Sequence, residues 1–225
     1  VELTKVDDDQ KALAGAQFEL YLKGTNGVAD TKIGGTYTTN ESGKISVDGL
    51  DYGDYYFVET KAPEGYVLDT TKIEFTVTKA GEVISKSLVN YEVPTIIKDI
   101  EGAERFDVEP GTEYTYNLTL NLPANIDKYT EYVVTDTLDS RLTYADKWSV
   151  VGVNSENIKF TESETTEGQE VLTWTVNDLK ALKGVEQVVI SFEAKIKPDA
   201  VLAYGETGIP NDATLQFNNG LGGTG

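Results

Sequence analysis

Glu59 is the first residue whose type and position could do chemistry. It lies in residues 55–60, which alternate between larger apolar and other side chains as a β-strand does. On a pleated strand Tyr55, Phe57 and Glu59 share one face, so the carboxyl group is placed beside two aromatic rings. An ionised carboxylate is costly there, so we expect Glu59 to lie at the rim of the sheet, to be paired, or to stay protonated. If it is buried and protonated, it needs a polar partner.

Lys5 and Lys98 are lysines that continue apolar rows. Lys5 shares a strand face with Val1 and Leu3, and Lys98 shares one with two isoleucines. Desolvation lowers the pKa of a lysine and leaves a neutral amine that can act as a nucleophile. The alternative for Lys5 is a stem that packs along apolar surface with its charged end in water, and for Glu59 it is a salt bridge at the rim.

Composition excludes several other kinds of chemistry. The 225 residues include no His and no Cys, so the chain lacks the usual general base, thiol nucleophiles, disulfides and thiolate metal ligands. The formal net charge of −19 argues against nucleic acid or an anionic membrane as partner. Asp7-Asp8-Asp9 has no EF-hand spacing after it, so we interpret it as a solvated loop. We therefore expect no cofactor and no metal.

Short alternating segments separated by turn residues predict an all-β chain, folded as a sandwich or a barrel. Pro94 interrupts strand pairing and suggests domains at residues 1–92 and 93–225. In the second half, separate strand segments are predicted at 142–144 and 148–153, and a last strand at 208–217. Residues 162–169 are polar and acidic and indicate an exposed hairpin loop. Residues 179–182 could form one helical turn.

The first ninety residues resemble the Cna-B-type, prealbumin-like domain of Gram-positive surface proteins and pilins. The resemblance rests on Lys5 in a first strand and on the following motifs, in order: Gly15-Ala16-x-Phe18-x-Leu20, Thr39-x-x-x-Gly43, Gly53-x-Tyr55-x-x-x-Glu59-x-x-Ala62-Pro63-x-Gly65-Tyr66, and Asn90 in a last strand. It implies an amide cross-link between Lys5 and Asn90 that Glu59 catalyses.

The implied reaction is physically reasonable. A neutral Lys5 amine could attack the Asn90 carboxamide, while a protonated Glu59 donates to the carbonyl oxygen and then carries protons as ammonia leaves. Folding would hold the groups together, which gives the high effective concentrations of intramolecular reactions. It would happen once per chain. Taken alone, Asn90 could equally be a turn residue.

The second half resembles the Cna-A-like domain of pilins, which has an immunoglobulin-type sandwich. The two resemblances together imply two tandem immunoglobulin-like β-sandwiches. The matching pieces are Lys98, Tyr132-x-Val134-Thr135-Asp136-Thr137-Leu138, the strand that contains Trp174, and Ile209-Pro210-Asn211-x-Ala213. The resemblance implies a bond between Lys98 and Asn211, with Asp136 as the catalytic acid. Asp99, Asp139 and Asn218 are rival candidates, and Asp136 could instead cap a turn with Thr135.

Both resemblances imply a structural subunit of a sortase-assembled pilus shaft, located outside the cell on the cell wall. The chain would then be a fragment, with the sorting signal and the lysine that joins pilin subunits outside it. Its partners would be other pilin subunits, and it would not be a turnover enzyme. The alternative is a stalk or binding module of a cell-wall-anchored adhesin, whose partner would be a host surface protein.

Overall fold

The structure is a computed structural model that describes residues 1–104, 107–201 and 208–225. This described part of the chain forms two compact units built from β-strands, which confirms the predicted all-β class. The first unit contains Val1–Val93 together with Asn219–Thr224, and the second contains Pro94–Asn218 with Gly225. Residues 219–224 thus pack in the first unit, although the sequence groups them with the second half.

The first unit is a sandwich of short strands. One sheet has the order β4-β1-β7 and the other the order β3-β2-β5-β6. β7 runs parallel to β1, whereas β4 runs antiparallel to it. The strands are β1 (Glu2–Val6), β2 (Gln17–Leu22), β3 (Thr31–Thr38), β4 (Lys44–Ser46), β5 (Gly53–Lys61), β6 (Ile73–Val77) and β7 (Ser85–Val89).

The core of the first unit lies between these sheets. Aromatic rings from β5 and β6 stack there: Tyr55 and Phe57 lie 5.4 and 5.7 Å from Phe75, measured between ring centroids. Leu3 from β1 packs into the same cluster. Full burial of a large apolar side chain contributes about 1.5–3 kcal/mol, so these rings fix the inward face of β5. That face is the one that carries Glu59.

The second unit is also built from sheets of antiparallel strands. One has the order β12-β13-β10-β15, and the other has the order β11-β14-β9-β8. Trp174 and Phe192, from opposite sheets, meet in the core with centroids 5.4 Å apart. The strands are β8 (Thr95–Ile100), β9 (Glu113–Asn121), β10 (Glu131–Thr137), β11 (Leu142–Val151), β12 (Ile158–Glu164), β13 (Glu170–Val176), β14 (Gln187–Ile196) and β15 (Ala213–Asn218).

Short 3-10 helices span Ile126–Lys128, Ser155–Asn157 and Leu179–Leu182, and the last of these is the predicted helical turn. The Asp178 side chain accepts from the backbone N–H of Lys180 at its start. Within the described ranges, no helix has the length and apolar character needed to cross a bilayer.

Local sequence patterns placed several boundaries of the second unit wrongly. The segments predicted at 142–144 and 148–153 form one strand, β11, because a bulge between Tyr144 and Trp148 shifts the alternation. The predicted polar loop at 162–169 begins within β12, whose solvent-facing residues pair with β13 through backbone bonds and need no apolar alternation. The last strand begins at Ala213, so Asn211 lies just before it.

The acidic turn after β1 is only partly solvated. Asp8 and Asp9 are exposed, but Asp7 is buried and accepts a hydrogen bond of 2.7 Å from the backbone N–H of Lys11. Asp7 therefore stabilises the turn itself. Among the residues that the structure describes, no cluster of acidic side chains is arranged to hold a metal ion.

Candidate cross-linking sites

Lys5 lies on β1, and its side chain is completely buried. β1 and β7 are parallel with Lys5 opposite Leu88, so the amine reaches the end of β7. Its Nζ donates to the backbone carbonyls of Leu88 and Val6, at 3.1 and 3.2 Å. Burial lowers the pKa of Lys5 to about 8, and the charge of Glu59 opposes this shift. A large share of the amine is therefore neutral in mildly alkaline solution.

Glu59 lies on β5, on the face of the stacked aromatic rings, and is also completely buried. Burial raises the pKa of this carboxyl group. The backbone N–H of Asp69, which donates to Oε2 at 2.9 Å, opposes the rise, as does the nearby Lys5. Burial has the largest effect on both groups, so it raises the pKa of Glu59 and lowers that of Lys5, which shifts each toward its neutral form.

Asn90 follows β7 and joins the other two residues. Its Nδ2 donates to both carboxyl oxygens of Glu59, at 3.0 and 3.2 Å, and to the carbonyl of Val67 at 3.0 Å. Its backbone N–H donates to the Val6 carbonyl, the same oxygen that accepts from Lys5 Nζ. The Lys5 amine and the Asn90 backbone therefore share one acceptor, while the Asn90 side chain contacts Glu59. The buried Oδ1 of Asn90 has no hydrogen-bond partner among the described residues.

The contact between Glu59 and Asn90 differs from the expected one. The sequence-based mechanism has the Glu59 carboxyl group donate to the carbonyl oxygen of Asn90. In the structure both carboxyl oxygens instead face the amide nitrogen. This arrangement suits proton delivery to the nitrogen that would leave as ammonia, which is the step that breaks the carbon–nitrogen bond.

Lys98 and Asp136 form the equivalent pair in the second unit. Lys98 Nζ lies 2.5 Å from Oδ2 of the fully buried Asp136, and the lysine side chain is 13% exposed. The amine also lies over the Tyr116 ring, 4.3 Å from its centroid, and 5.5 Å from that of Phe192. Burial lowers the pKa of Lys98 and raises that of Asp136, while each partner's charge opposes the other's shift.

Asn211 lies beside this pair. β15 pairs with β10 so that Ala213 is opposite Asp136, which places Asn211 two residues before the paired position. Its amide stabilises the ionised form of Asp136 and so opposes the rise of that pKa. Neither amide atom of Asn211 makes a well-formed hydrogen bond within the described ranges, although both are buried. Lys98, Tyr116 and Asn211 are among the residues that line an open groove of about 690 Å³.

The rival candidates are engaged elsewhere. Asp139 forms an ion pair with Arg141 at 2.8 Å. Asp99 accepts from Asn117 Nδ2 at 2.7 Å and from a turn N–H. Asn218 lies opposite Glu131, at the far end of β15 from Asp136. The lysine and acid that the structure brings together are therefore Lys98 and Asp136.

Comparison with known proteins places the first unit. Residues 1–92 match the family described as SpaA, a prealbumin-like fold domain. The first unit is thus similar to this prealbumin-like domain over all of its strands. Over its whole length the chain is similar to BcpA, the major pilin subunit of Bacillus cereus, with 36% identity and a TM-score of 0.81. The chain spans 65% of the length of that pilin.

Two further relatives extend this comparison. The full-length major pilin SpaD of Corynebacterium diphtheriae shares the fold, with a TM-score of 0.73 at 22% identity over 98% of this chain and 62% of its own. Platelet adherence protein A of Streptococcus gordonii is 32% identical over 142 residues, which are 58% of this chain and 4% of that protein.

Some contacts of the first unit were not predicted. The backbone N–H of Asp69 and the carbonyl of Val67 hold the Glu59–Asn90 pair, yet backbone groups leave no signal in side-chain patterns. In the second unit, the inward position of Tyr116 could have been predicted from the sequence. The alternation of residues 114–120 places it on the same strand face as Tyr114 and Leu118, which are both buried.

Proposed function

We propose that the chain is part of the shaft of a cell-surface pilus, and that each unit is cross-linked by a self-generated amide. The observation that carries the proposal is the buried constellation of Lys5, Glu59 and Asn90. The Asn90 carboxamide contacts the Glu59 carboxyl group, and the Lys5 amine shares the Val6 carbonyl with the Asn90 backbone N–H. The similarity of the whole of this chain to part of a major pilin subunit supports the structural role. The partners would be further pilin subunits.

The reaction at the first site is a transamidation. The lone pair of neutral Lys5 Nζ adds to the Asn90 side-chain carbonyl carbon and forms a carbon–nitrogen bond. Glu59 accepts a proton from the attacking nitrogen and delivers one to the amide nitrogen that it already contacts. The original carbon–nitrogen bond then breaks and ammonia leaves. Amine plus carboxamide thus becomes secondary amide plus ammonia, and Glu59 returns to its starting state.

The second site would follow the same course with its own residues. Asp136 takes the part of Glu59, and the Lys98 amine sits between its carboxyl group and the Tyr116 ring. Proton transfer from Lys98 to Asp136 gives a neutral pair, which burial favours over the ion pair. The Lys98 amine would attack the carboxamide carbon of Asn211, whose oxygen and nitrogen make no well-formed hydrogen bond among the described residues.

The intact mass of the denatured protein tests the proposal. We expect the wild-type chain to be lighter than its sequence by the mass of two ammonia molecules. Glu59→Ala and Asp136→Ala should each remove one of these deficits, because each deletes one acid. A wild-type mass equal to the sequence mass would overturn the cross-linking proposal, and an unchanged deficit in Glu59→Ala would remove Glu59 from its role.

A second candidate function is the stalk of a surface adhesin. The observation that favours it is the similarity to platelet adherence protein A. Both functions use the same cross-linked units, so mass does not separate them. Binding of the purified chain to immobilised platelets would favour the adhesin, whereas its incorporation into covalent polymers in cells that carry a pilus-assembly system would favour the shaft.

A further inference from the structure

Residues 219–224, here called the tail segment, fold against the first unit although they follow the last strand of the chain. They pack on the loop formed by residues 67–70. Asp69 and Gly222 form an antiparallel bridge, and the backbone N–H and hydroxyl of Thr70 both donate to the Leu221 carbonyl at 2.7 Å. The loop is therefore held from the side of the tail segment.

The other side of the same loop holds the cross-linking site. The Asp69 N–H donates to Glu59 Oε2, and the Val67 carbonyl accepts from Asn90 Nδ2. The loop thus contacts both the acid and the carboxamide. Its backbone conformation decides how these two side chains face each other and how strongly the Asp69 N–H opposes protonation of Glu59.

Asn219 connects the tail segment to this loop from the side of the tail segment. It is 2% exposed, and its Nδ2 donates to the Leu68 carbonyl at 2.8 Å. Its Oδ1 accepts from the backbone N–H groups of Leu221 and Gly223, at 2.9 and 2.8 Å. The side-chain oxygen of Asn219 therefore stabilises the turn of the tail segment, and its nitrogen binds the loop.

Close backbone packing makes this contact specific. A Cβ at Gly223 would lie 2.2 Å from a methyl group of Val67 and 2.7 Å from the Leu68 carbonyl. A Cβ at Gly222, where φ is +102°, would lie 2.7 Å from the Thr70 side chain. Side chains larger than glycine would push the tail segment off the loop, so the two backbones fit only as they stand.

We infer that Asn219 is a positioning residue for the first cross-linking site, acting through the 67–70 loop on Glu59 and Asn90. The inference rests on the proposed isopeptide function. It has a consequence for the order of events, because Asn219 follows Asn90 by more than a hundred residues. The first unit would reach its fully reactive geometry only after the tail segment has docked, even though both bond-forming residues lie within the first ninety.

Refolding kinetics of the full-length chain test the inference. Chain expressed in insoluble, unfolded form is dissolved in denaturant, refolded by dilution and quenched at intervals. Intact mass and peptide mapping then follow each cross-link separately. We expect Asn219→Ala to slow the Lys5–Asn90 bond by about tenfold or more, because it leaves the buried Leu68 carbonyl unpaired and frees the loop. The Lys98–Asn211 bond should form at its normal rate.

Two further variants sharpen the comparison. Asn219→Asp keeps an acceptor for the Leu221 and Gly223 N–H groups but loses the donor to Leu68. It therefore tests the hydrogen bond to the loop by itself, and the Lys5–Asn90 bond should also form slowly in this variant. Asn218→Ala, at the adjacent position in β15, is the matched control and should link at the wild-type rate. If Asn219→Ala fails to fold, Asn219→Asp decides.

The pH profile separates positioning from general destabilisation. Glu59 is faced by Lys5 from β1, by Asp69 from the loop and by Asn90 after β7, and Asp7 lies near the lysine. Loss of the Asp69 N–H bond removes a contact that lowers the pKa of Glu59. At high pH the rate of Lys5–Asn90 bond formation should fall as Glu59 loses its proton, and in Asn219→Ala this fall should occur at a higher pH. A smaller folded fraction alone would lower the rate without changing the pH at which it falls.

The possible failures are distinguishable. Equal first-site rates in wild type, Asn219→Ala and Asn219→Asp would overturn the inference and leave the proposed function standing. A wild-type chain that forms no first-site bond would overturn the proposed function. Hydrogen exchange at the Asp69 amide would then decide whether Asn219 still orders the loop: faster exchange in Asn219→Ala supports this, and equal exchange contradicts it.

Discussion

At the residue scale, the two sites share one physical principle with different partners. Each places a lysine amine and a carboxyl group where burial penalises the charged forms of both. A buried ion pair recovers only part of its desolvation cost. Conversion of the amine into an amide removes the ionisable nitrogen altogether, so the folded chain no longer carries that cost. The destabilised starting state and the proposed reactivity would therefore have the same origin.

Lys5 should give an unlinked first unit a distinctive pH dependence. Asn90→Ala keeps Lys5 and Glu59 but cannot form the bond. Between pH 8 and 10.5 the unfolded chain binds a proton at Lys5 that the folded chain does not, because folding lowers this pKa from 10.5 to about 8. The free energy of unfolding should therefore rise with pH across this window, by up to roughly 3 kcal/mol.

Denaturant unfolding of Asn90→Ala at several pH values measures this rise. The double variant Asn90→Ala with Lys5→Met is the control, since it lacks the titrating amine. Glu59 acts in the opposite sense at lower pH, because a raised pKa contributes stability that is lost as pH rises through its folded value. Parallel curves for the two variants above pH 8 would contradict the buried, neutral amine.

At the element scale, strand pairing decides which residues can react. The parallel pairing of β1 with β7 brings Lys5 to the end of β7, and Asn90 is the residue that follows. In the second unit, the register of β10 with β15 sets Ala213 opposite Asp136 and leaves Asn211 in the approach to the strand. Small displacements cost intramolecular reactions much of their rate, so register is as important as residue type.

Insertion of one alanine between Asp212 and Ala213 should abolish or strongly slow the second cross-link. The β10–β15 hydrogen bonds hold Ala213 in place, so the extra residue displaces Asn211 from Asp136, and about a hundredfold loss of rate is expected from a displacement of this kind. Intact mass should show a deficit of one ammonia. An alanine inserted between Glu167 and Gly168, in the turn after β12, should leave a deficit of two; equal deficits in both insertions would refute the register argument.

Sequence reasoning predicted the fold class and named residues that lie in contact, Glu59 with Asn90 and Lys98 with Asp136, but it missed other contacts around them. Alternation in residues 55–60 was enough to place Glu59 on the aromatic face, since that pattern is local. The bulge in β11 and the extent of the solvent-facing β12 were not predicted, because backbone pairing rather than side-chain pattern defines them. The packing of the tail segment on the 67–70 loop was not predicted, because the contacting residues are about 150 positions apart in the chain.

At the scale of the whole molecule, the proposed bonds would change how the chain responds to a pulling force. Each bond would join a segment at the beginning of a unit to one near its end, so load would pass through an amide rather than through ladders of hydrogen bonds. Each would also restrict the unfolded chain, which contributes about 4–5 kcal/mol for a closed loop of roughly a hundred residues, on the model used for disulfides. Both effects suit a subunit that carries mechanical load.

Single-molecule pulling between the chain termini tests this. The linked wild type should resist extension of the residues enclosed by each bond. Glu59→Ala should release the segment between Lys5 and Asn90, an added contour length of about 280–310 Å at about 3.3–3.6 Å per residue. Asp136→Ala should release the segment between Lys98 and Asn211 instead, about 370–410 Å. Because the two lengths differ, each step identifies the unit that has opened. A wild-type chain that shows both steps would mean that neither unit is covalently closed, and the load-bearing role would then rest on hydrogen-bonded sandwiches alone.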